Sequence, residues 1–102
     1  MIDRYVQDLS KDIHVDRVVL FGSHARDDAF EESDVDLVVI SPDLASMHPL
    51  KRLEFLFLRW PFTKGAHILG YTAGEYQELA QGLTLVAEVE SYGKTVFVSP
   101  SA

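Results

Sequence analysis

Two aspartates separated by a single residue, Asp34 and Asp36, stand at the start of an apolar run. Side chains alternate across a β-strand, so both carboxylates would point to the same face, with their Cα atoms roughly 6 to 7 Å apart. Hard oxygen ligands of this kind suit Mg²⁺ or Mn²⁺, which leave coordination positions for substrate phosphates. The pair therefore predicts a site for a divalent metal ion.

A second short motif, Gly22-Ser23, ends the apolar run that precedes the aspartates. A glycine there lets the backbone approach a ligand closely, and Ser23 offers a hydroxyl and a backbone N–H to an anion. Arg26 could bind the same phosphates through two guanidinium nitrogens. Phosphate ligands beside a metal-binding carboxylate pair indicate phosphoryl or nucleotidyl transfer.

The elements that would position these residues alternate between helix and strand. Apolar residues at helical spacing predict helices over residues 2–13, 49–60, 73–81 and 83–92. Short apolar runs predict strands over residues 17–21, 34–40, 66–71 and 95–98. Thr72 and Glu75 are predicted to form a capping box. We therefore expect an α+β fold (an α/β sandwich), with helices packed against a small mixed β-sheet in a single domain over residues 1–102.

The second predicted helix has an apolar face. It consists of Leu50, Leu53, Phe57 and Trp60. This register favours a core position for Trp60, and the alternative is an exposed aromatic patch that contacts a partner.

The composition is acidic, with sixteen Asp and Glu against nine Lys and Arg and a formal net charge of -7. Most of such a surface would repel phosphate backbones, which counts against direct nucleic-acid binding. The sequence has no cysteine, so disulfides and thiolate metal sites are excluded, and a reducing compartment fits best. No apolar run is long enough to span a bilayer and no signal-peptide pattern is present, so we expect a cytoplasmic protein without a membrane partner.

The stretch LFGSHARDDAFEESDVDLVVI, residues 20–40, resembles the nucleotidyltransferase superfamily related to DNA polymerase β through its Gly-Ser, Ala-Arg and Ser-Asp-x-Asp-Leu motifs. At 102 residues the chain is most similar to the minimal nucleotidyltransferases, which are often encoded beside a HEPN-domain partner. Some members of that family are antitoxins that transfer AMP from ATP to a tyrosine of the HEPN toxin and silence its RNase activity. The resemblance implies ATP as substrate, Mg²⁺ (or Mn²⁺) as cofactor and a HEPN-domain protein as partner.

The resemblance also implies roles for the residues that match the motifs. Asp34 and Asp36 would bind the metal ions and take part in catalysis. The nucleotide would be bound by Gly22, Ser23, Arg26 and Ser33.

The third strand of this family normally carries a third carboxylate, which completes the site and helps to activate the attacking hydroxyl. The matching position in this chain is His67, and residues 66–71 contain no carboxylate. Histidine is neutral or positive near neutral pH and prefers softer metals. Three interpretations are open. His67 acts as a general base, or the protein binds nucleotide but transfers slowly or not at all, or His67 is structural and another element supplies the third carboxylate.

Three functions follow from these interpretations. The first is a metal-dependent nucleotidyltransferase that transfers a nucleoside monophosphate, with AMP favoured, to a hydroxyl of a protein partner. A protein is the expected acceptor because a single domain has no second lobe to hold a small molecule. The second is a nucleotide-binding protein that regulates its partner by contact alone. The third is an α/β domain without a ligand. Homo-oligomers and hetero-oligomers are both open.

Overall fold

The computed structural model describes residues 2–22, 34–82 and 84–100. The helices are α1 (Ile2–Leu9), α2 (Pro49–Leu58), α3 (Ala73–Ala80) and α4 (Leu85–Tyr92). The strands are β1 (Arg17–Phe21), β2 (Val35–Ile40), β3 (Ala66–Tyr71) and β4 (Lys94–Val98). A short 3₁₀ helix, Pro42–Ser46, follows β2. None of the helices within these described ranges combines the length and the apolar character that crossing a membrane requires.

The four strands form one mixed sheet in the order β3-β2-β1-β4, which confirms the predicted fold class. Strand β2 is parallel to β3 and antiparallel to β1, and β1 is also antiparallel to β4. Asp36 lies opposite Phe21 on β1 and opposite His67 on β3. Directly opposite residues point to the same face of a sheet, so these three side chains form one row across three strands.

Helices cover both faces of the sheet. On one face, α1 and α2 pack on alternate residues of β2, and the centre of this core consists of Tyr5, Leu9, Leu37, Val39, Leu56 and Ile68. On the other face, α3 and α4 supply Tyr76, Val86 and Val89, which pack on Val19, Val38 and Ile40. Strand β2 is thus buried on both faces, which explains its nearly continuous apolar sequence.

The first helix is shorter than the apolar spacing predicted. It ends at Leu9, whose carbonyl accepts hydrogen bonds from the backbone N–H groups of Asp12 and Ile13, each at 2.9 Å. Ile13 is buried although it lies beyond the helix. The apolar pattern therefore continued past the helix because the following turn also packs on the core.

The predicted apolar face of the second helix is only partly correct. Trp60 is buried, with its ring centroid 5.1 Å from that of Tyr5. Leu50, Leu53 and Phe57, however, are exposed by 70%, 42% and 54%. The buried face of α2 instead carries Arg52 and Leu56.

The buried guanidinium of Arg52 explains this different rotation of α2. It donates to the backbone carbonyls of Met47 (3.1 Å) and Gly70 (3.3 Å) and to both carboxylate oxygens of Glu75 (2.6 and 3.1 Å). Glu75 also accepts from the backbone N–H of Thr72 at 2.8 Å, in the predicted capping box of α3. Arg52 therefore joins α2 to β3 and to the start of α3.

We expect Arg52→Met to lower the free energy of unfolding by about 2 to 3 kcal/mol at pH 7, because two backbone carbonyls and a carboxylate lose their donor. Hydrogen bonds from Arg52, and next from the backbone of Thr72, hold the pKa of Glu75 below its ordinary value of 4.5. A lowered pKa contributes stability above pH 4.5 that is lost as the pH falls further. Urea unfolding at several pH values measures both effects.

The matched control for this prediction is Lys51→Met, which removes an exposed cation one residue away on the same helix. We expect it to change the free energy of unfolding by less than about 0.5 kcal/mol. The difference between Arg52→Met and the parent protein should shrink below pH 4.5. Equal stability of the two variants at pH 7 would contradict the role given to Arg52.

Candidate active site

The two aspartates lie where β2 begins. Asp34 immediately precedes the strand and Asp36 is its second residue, so both face the same side of the sheet. The Asp34 side chain is 48% exposed and that of Asp36 is 22% exposed. Solvent and a ligand can therefore reach both carboxylates, although β2 itself is buried further along.

The parallel pairing of β2 with β3 brings His67 to the carboxylates. Its Nδ1 atom lies 3.0 Å from Oδ1 of Asp36, and its Nε2 atom lies 3.7 Å from Oδ2 of Asp34. The imidazole is 68% exposed, so it is not a core residue. The structure thus brings together three of the residues that the sequence analysis singled out.

Glycines stand next to each carboxylate. Gly22 directly follows β1 and has a φ of 72°, and a Cβ atom at this position would overlap Oδ2 of Asp36. A Cβ atom at Gly65, just before β3, would overlap Oδ1 of Asp34. The carbonyl of Gly65 also accepts from the backbone N–H of Val35 at 3.0 Å, which holds it beside the start of β2. Only glycine fits at either position without moving a carboxylate.

Sequence analysis predicted Gly22 but missed Gly65. The proximity of Gly65 to Asp34 depends on the pairing of β2 with β3, which its position in the sequence does not reveal. Its place directly before a strand was the one available signal. The remaining predicted nucleotide-binding residues, Ser23, Arg26 and Ser33, lie outside the described residues.

The chemistry of the donor set fits a hard divalent cation. Mg²⁺ is usually bound through one or two carboxylates together with substrate phosphates, rather than by a cage made entirely of protein. Asp34 and Asp36 supply two such carboxylates, and Gly22 has no side chain that would displace the carboxylate of Asp36. Across residues 2–22, 34–82 and 84–100, no group of three His, Cys, Asp or Glu side chains has metal-binding geometry. A metal ion here would accordingly share its coordination between the two aspartates and the phosphates.

Comparison with known proteins gives a consistent family assignment. The family model of the nucleotidyltransferase domain matches residues 2–83. A protein of Methanocaldococcus jannaschii that is named as a protein adenylyltransferase, MJ0141, is 35% identical over 97 residues, which cover 89% of this chain and 94% of that protein. This relative spans almost the same length as the present chain.

Solved structures share the fold. A chain from Sulfolobus solfataricus, described as a nucleotidyltransferase, has a TM-score of 0.70 and 15% identity, over 95% of this chain and 77% of its own. A toxin–antitoxin structure with AMP-PNP has a TM-score of 0.54 and 15% identity, over 99% of this chain and 77% of its own. A mutant of the toxin–antitoxin MntA-HpeT has a TM-score of 0.59 and 15% identity, over 97% and 74%. With residues 2–83 matched by the family model, the chain belongs to the nucleotidyltransferase family, and its relatives place it among the minimal members.

Proposed function

We propose that this protein is a metal-dependent adenylyltransferase that transfers AMP from ATP to a hydroxyl of a protein partner. The observation that carries the proposal is the group formed by Asp34, Asp36 and His67 beside Gly22. This group combines a carboxylate pair, an imidazole that can accept a proton, and a glycine whose backbone lies against one carboxylate. The name of the M. jannaschii relative supports a protein as the acceptor.

We further propose that the acceptor is a HEPN-domain toxin and that this chain is its antitoxin. Two structural neighbours are toxin–antitoxin assemblies, and one of them contains AMP-PNP. Those neighbours support a nucleotide and a protein partner together. The acidic surface, with a net charge of -7, favours a protein acceptor over a nucleic acid.

The residues of the site divide the tasks of this reaction between them. Asp34 and Asp36 would hold Mg²⁺ (or Mn²⁺), which when bound supplies positive charge to the phosphate oxygens. Gly22 lets the triphosphate approach the sheet beside Asp36. The hydroxyl oxygen of the partner attacks the α-phosphorus, the bond between the α-phosphorus and the bridging oxygen breaks, and pyrophosphate leaves with the electron pair.

In this reaction His67 accepts the proton of the attacking hydroxyl. If Nδ1 carries a hydrogen and donates it to Oδ1 of Asp36, Nε2 keeps its lone pair and can accept a proton. Asp36 then orients the imidazole in addition to its contact with the metal. In this interpretation His67 takes the place of the third carboxylate of the family.

The histidine variants separate the three interpretations of His67. We expect His67→Asn to lower the transfer rate by about a hundredfold, because the amide cannot accept the proton. His67→Asp should keep the rate of the parent protein or exceed it, since a carboxylate can accept the same proton. Single-turnover rates on the partner protein measure both.

Two other outcomes would contradict the base assignment. Unchanged transfer by His67→Asn would make the histidine a structural residue. The parent protein could instead transfer AMP at a barely detectable rate while His67→Asp transfers it much faster. That result would mean that the natural site binds nucleotide but has lost most of its transfer activity. The melting temperature of each variant serves as the control for folding.

The experiment that tests the proposed function uses ATP labelled at either the α- or the γ-phosphate. The purified protein is incubated with Mg²⁺ and with a HEPN-domain protein as the proposed acceptor. Adenylyl transfer labels the partner from α-labelled ATP alone, and a chelator should stop it. Label from the γ-position would indicate phosphoryl transfer and would overturn the proposal.

A second candidate function is regulation of the partner by contact, without transfer. The observation that favours it is the histidine at the position where the family normally has a carboxylate. This candidate predicts that the partner is neutralised by variants that cannot transfer AMP.

A further inference from the structure

A cavity of about 190 Å³ lies between the end of β1 and the helix α4. Its lining consists of Phe21, Gly22, Leu85, Glu88, Val89 and Tyr92. Whole small-molecule sites usually measure about 300 to 1,000 Å³, so this cavity fits one part of a nucleotide. Gly22 lines the cavity, and its backbone also lies against the carboxylate of Asp36, so the cavity borders the proposed phosphate site.

The lining is apolar and unusually accessible. Tyr92 is 67% exposed and Leu85 is 54% exposed, on the same helix. Large apolar side chains that line an open cleft beside polar groups are typical of ligand-binding sites. An aromatic ring at the rim offers a face on which a planar ring can stack.

The charge of the lining disfavours a phosphate as the occupant, because the described lining residues include no cationic side chain. Glu88 is its one charged side chain, and a carboxylate repels an anion. The faces of a nucleobase are apolar, and its edge carries N–H groups that can donate hydrogen bonds to a carboxylate. The cavity therefore has the chemistry of a base site rather than of a second phosphate site.

We infer that this cavity, which we call the base pocket, holds the nucleobase of the bound triphosphate. Tyr92 stacks on the base, and Glu88 accepts a hydrogen bond from its edge. The inference rests on the proposed function, because the triphosphate must lie at Gly22 for the base to reach α4.

The pocket favours purines. A purine offers more surface to Tyr92 and Leu85 than a pyrimidine does. Adenine presents an amino group to a carboxylate, and guanine presents an amino group and a ring N–H side by side. Uracil presents its single N–H between two carbonyl oxygens, which Glu88 would repel. ATP and GTP should therefore bind more tightly than UTP.

The test compares ATP with inorganic tripolyphosphate, both with Mg²⁺, by calorimetry on the intact protein. Tripolyphosphate probes the phosphate site alone. We expect Tyr92→Ala to weaken ATP binding about tenfold and to leave tripolyphosphate binding unchanged. Tyr92→Phe should bind ATP like the parent protein, and Glu88→Gln should weaken ATP but not tripolyphosphate.

A pair of leucine variants provides the matched control. Leu85→Ala removes an exposed leucine from the base pocket, and Leu50→Ala removes one from α2, on the other face of the sheet. Only the first should weaken ATP binding. Thermal unfolding of each variant shows whether the fold is intact.

Several results would overturn the inference, and they separate it from the proposed function. The base lies outside this cavity if ATP binds no more tightly than tripolyphosphate, or if Tyr92→Ala and Glu88→Gln bind ATP like the parent protein. Either result leaves the proposed metal and phosphate site unaffected. If Tyr92→Ala weakens both ligands equally, the cavity is not a base site. If neither ligand binds the parent protein, the proposed function fails and the base pocket fails with it.

Discussion

Asp36→Asn should reduce adenylyl transfer on the order of a hundredfold to a thousandfold while the protein stays folded. Asparagine has the same shape and keeps an oxygen that can accept from His67, but it has no charge with which to hold a metal ion. The substitution also removes a negative charge beside Asp34 and so reduces repulsion, which should leave the melting temperature constant or raise it. Transfer of label from α-labelled ATP and thermal unfolding measure the two effects.

The matched control is Asp8→Asn on α1. Asp8 lies in another part of the protein, and its side chain makes a long ion pair with Lys11, at 3.7 Å. Its loss should affect neither transfer nor stability by a measurable amount. If Asp36→Asn transfers AMP as fast as the parent protein, the site assignment is wrong. If it loses transfer yet still neutralises the partner, the protein acts by contact.

Gly22→Ala should abolish transfer almost completely, with a stability loss of about 1 to 2 kcal/mol. The stability loss arises because an L-residue with a side chain adopts a φ of 72° only at this cost in free energy. The new methyl group would also overlap Oδ2 of Asp36, so the carboxylate must rotate away from its place beside His67. Activity therefore falls much further than stability alone would cause.

Gly74→Ala is the control for this variant. Gly74 lies in α3, and a Cβ atom there would meet nothing within 4 Å. An alanine in a helix is more stable than a glycine by about 0.5 to 1 kcal/mol, so this variant should be slightly more stable and fully active. If Gly22→Ala transfers AMP as well as Gly74→Ala does, the close approach of Gly22 to the carboxylate has no catalytic role.

Local patterns were sufficient to predict most of the fold. The apolar runs predicted β1 and β3 with the bounds that the structure has, because each is a short strand bordered by turn residues. The capping box at Thr72 and Glu75 was also predicted, since its two hydrogen bonds join residues three apart. Patterns of this kind depend only on neighbours in the sequence.

The rotation of α2 could not be predicted in the same way. Helical periodicity placed Leu50, Leu53 and Phe57 on the buried face. A charged side chain such as that of Arg52 was not expected there, because its burial is unfavourable unless it is paired. Arg52 is buried nevertheless, since Glu75, 23 residues further along the chain, accepts from both ends of its guanidinium. That partner becomes visible only when α2 and α3 are folded around β3.

The same distinction applies to the site. The spacing of Asp34 and Asp36 indicated that they share a face, and the structure places them so. The approach of His67 to both carboxylates depends on the register between β2 and β3. Gly65 and the base pocket depend on tertiary packing as well, and the place of Gly65 before a strand does not reveal that it lies beside Asp34.

The role proposed for Asp34 and Asp36 is to carry adenylyl transfer to a protein. Intact-protein mass spectrometry of the proposed HEPN-domain partner, after incubation with ATP, Mg²⁺ and this protein, tests this role most directly. We predict a mass increase of one or more AMP groups with the parent protein and none with the double variant Asp34→Asn, Asp36→Asn. An equal AMP adduct with the double variant, or no adduct with the parent protein, would contradict this role.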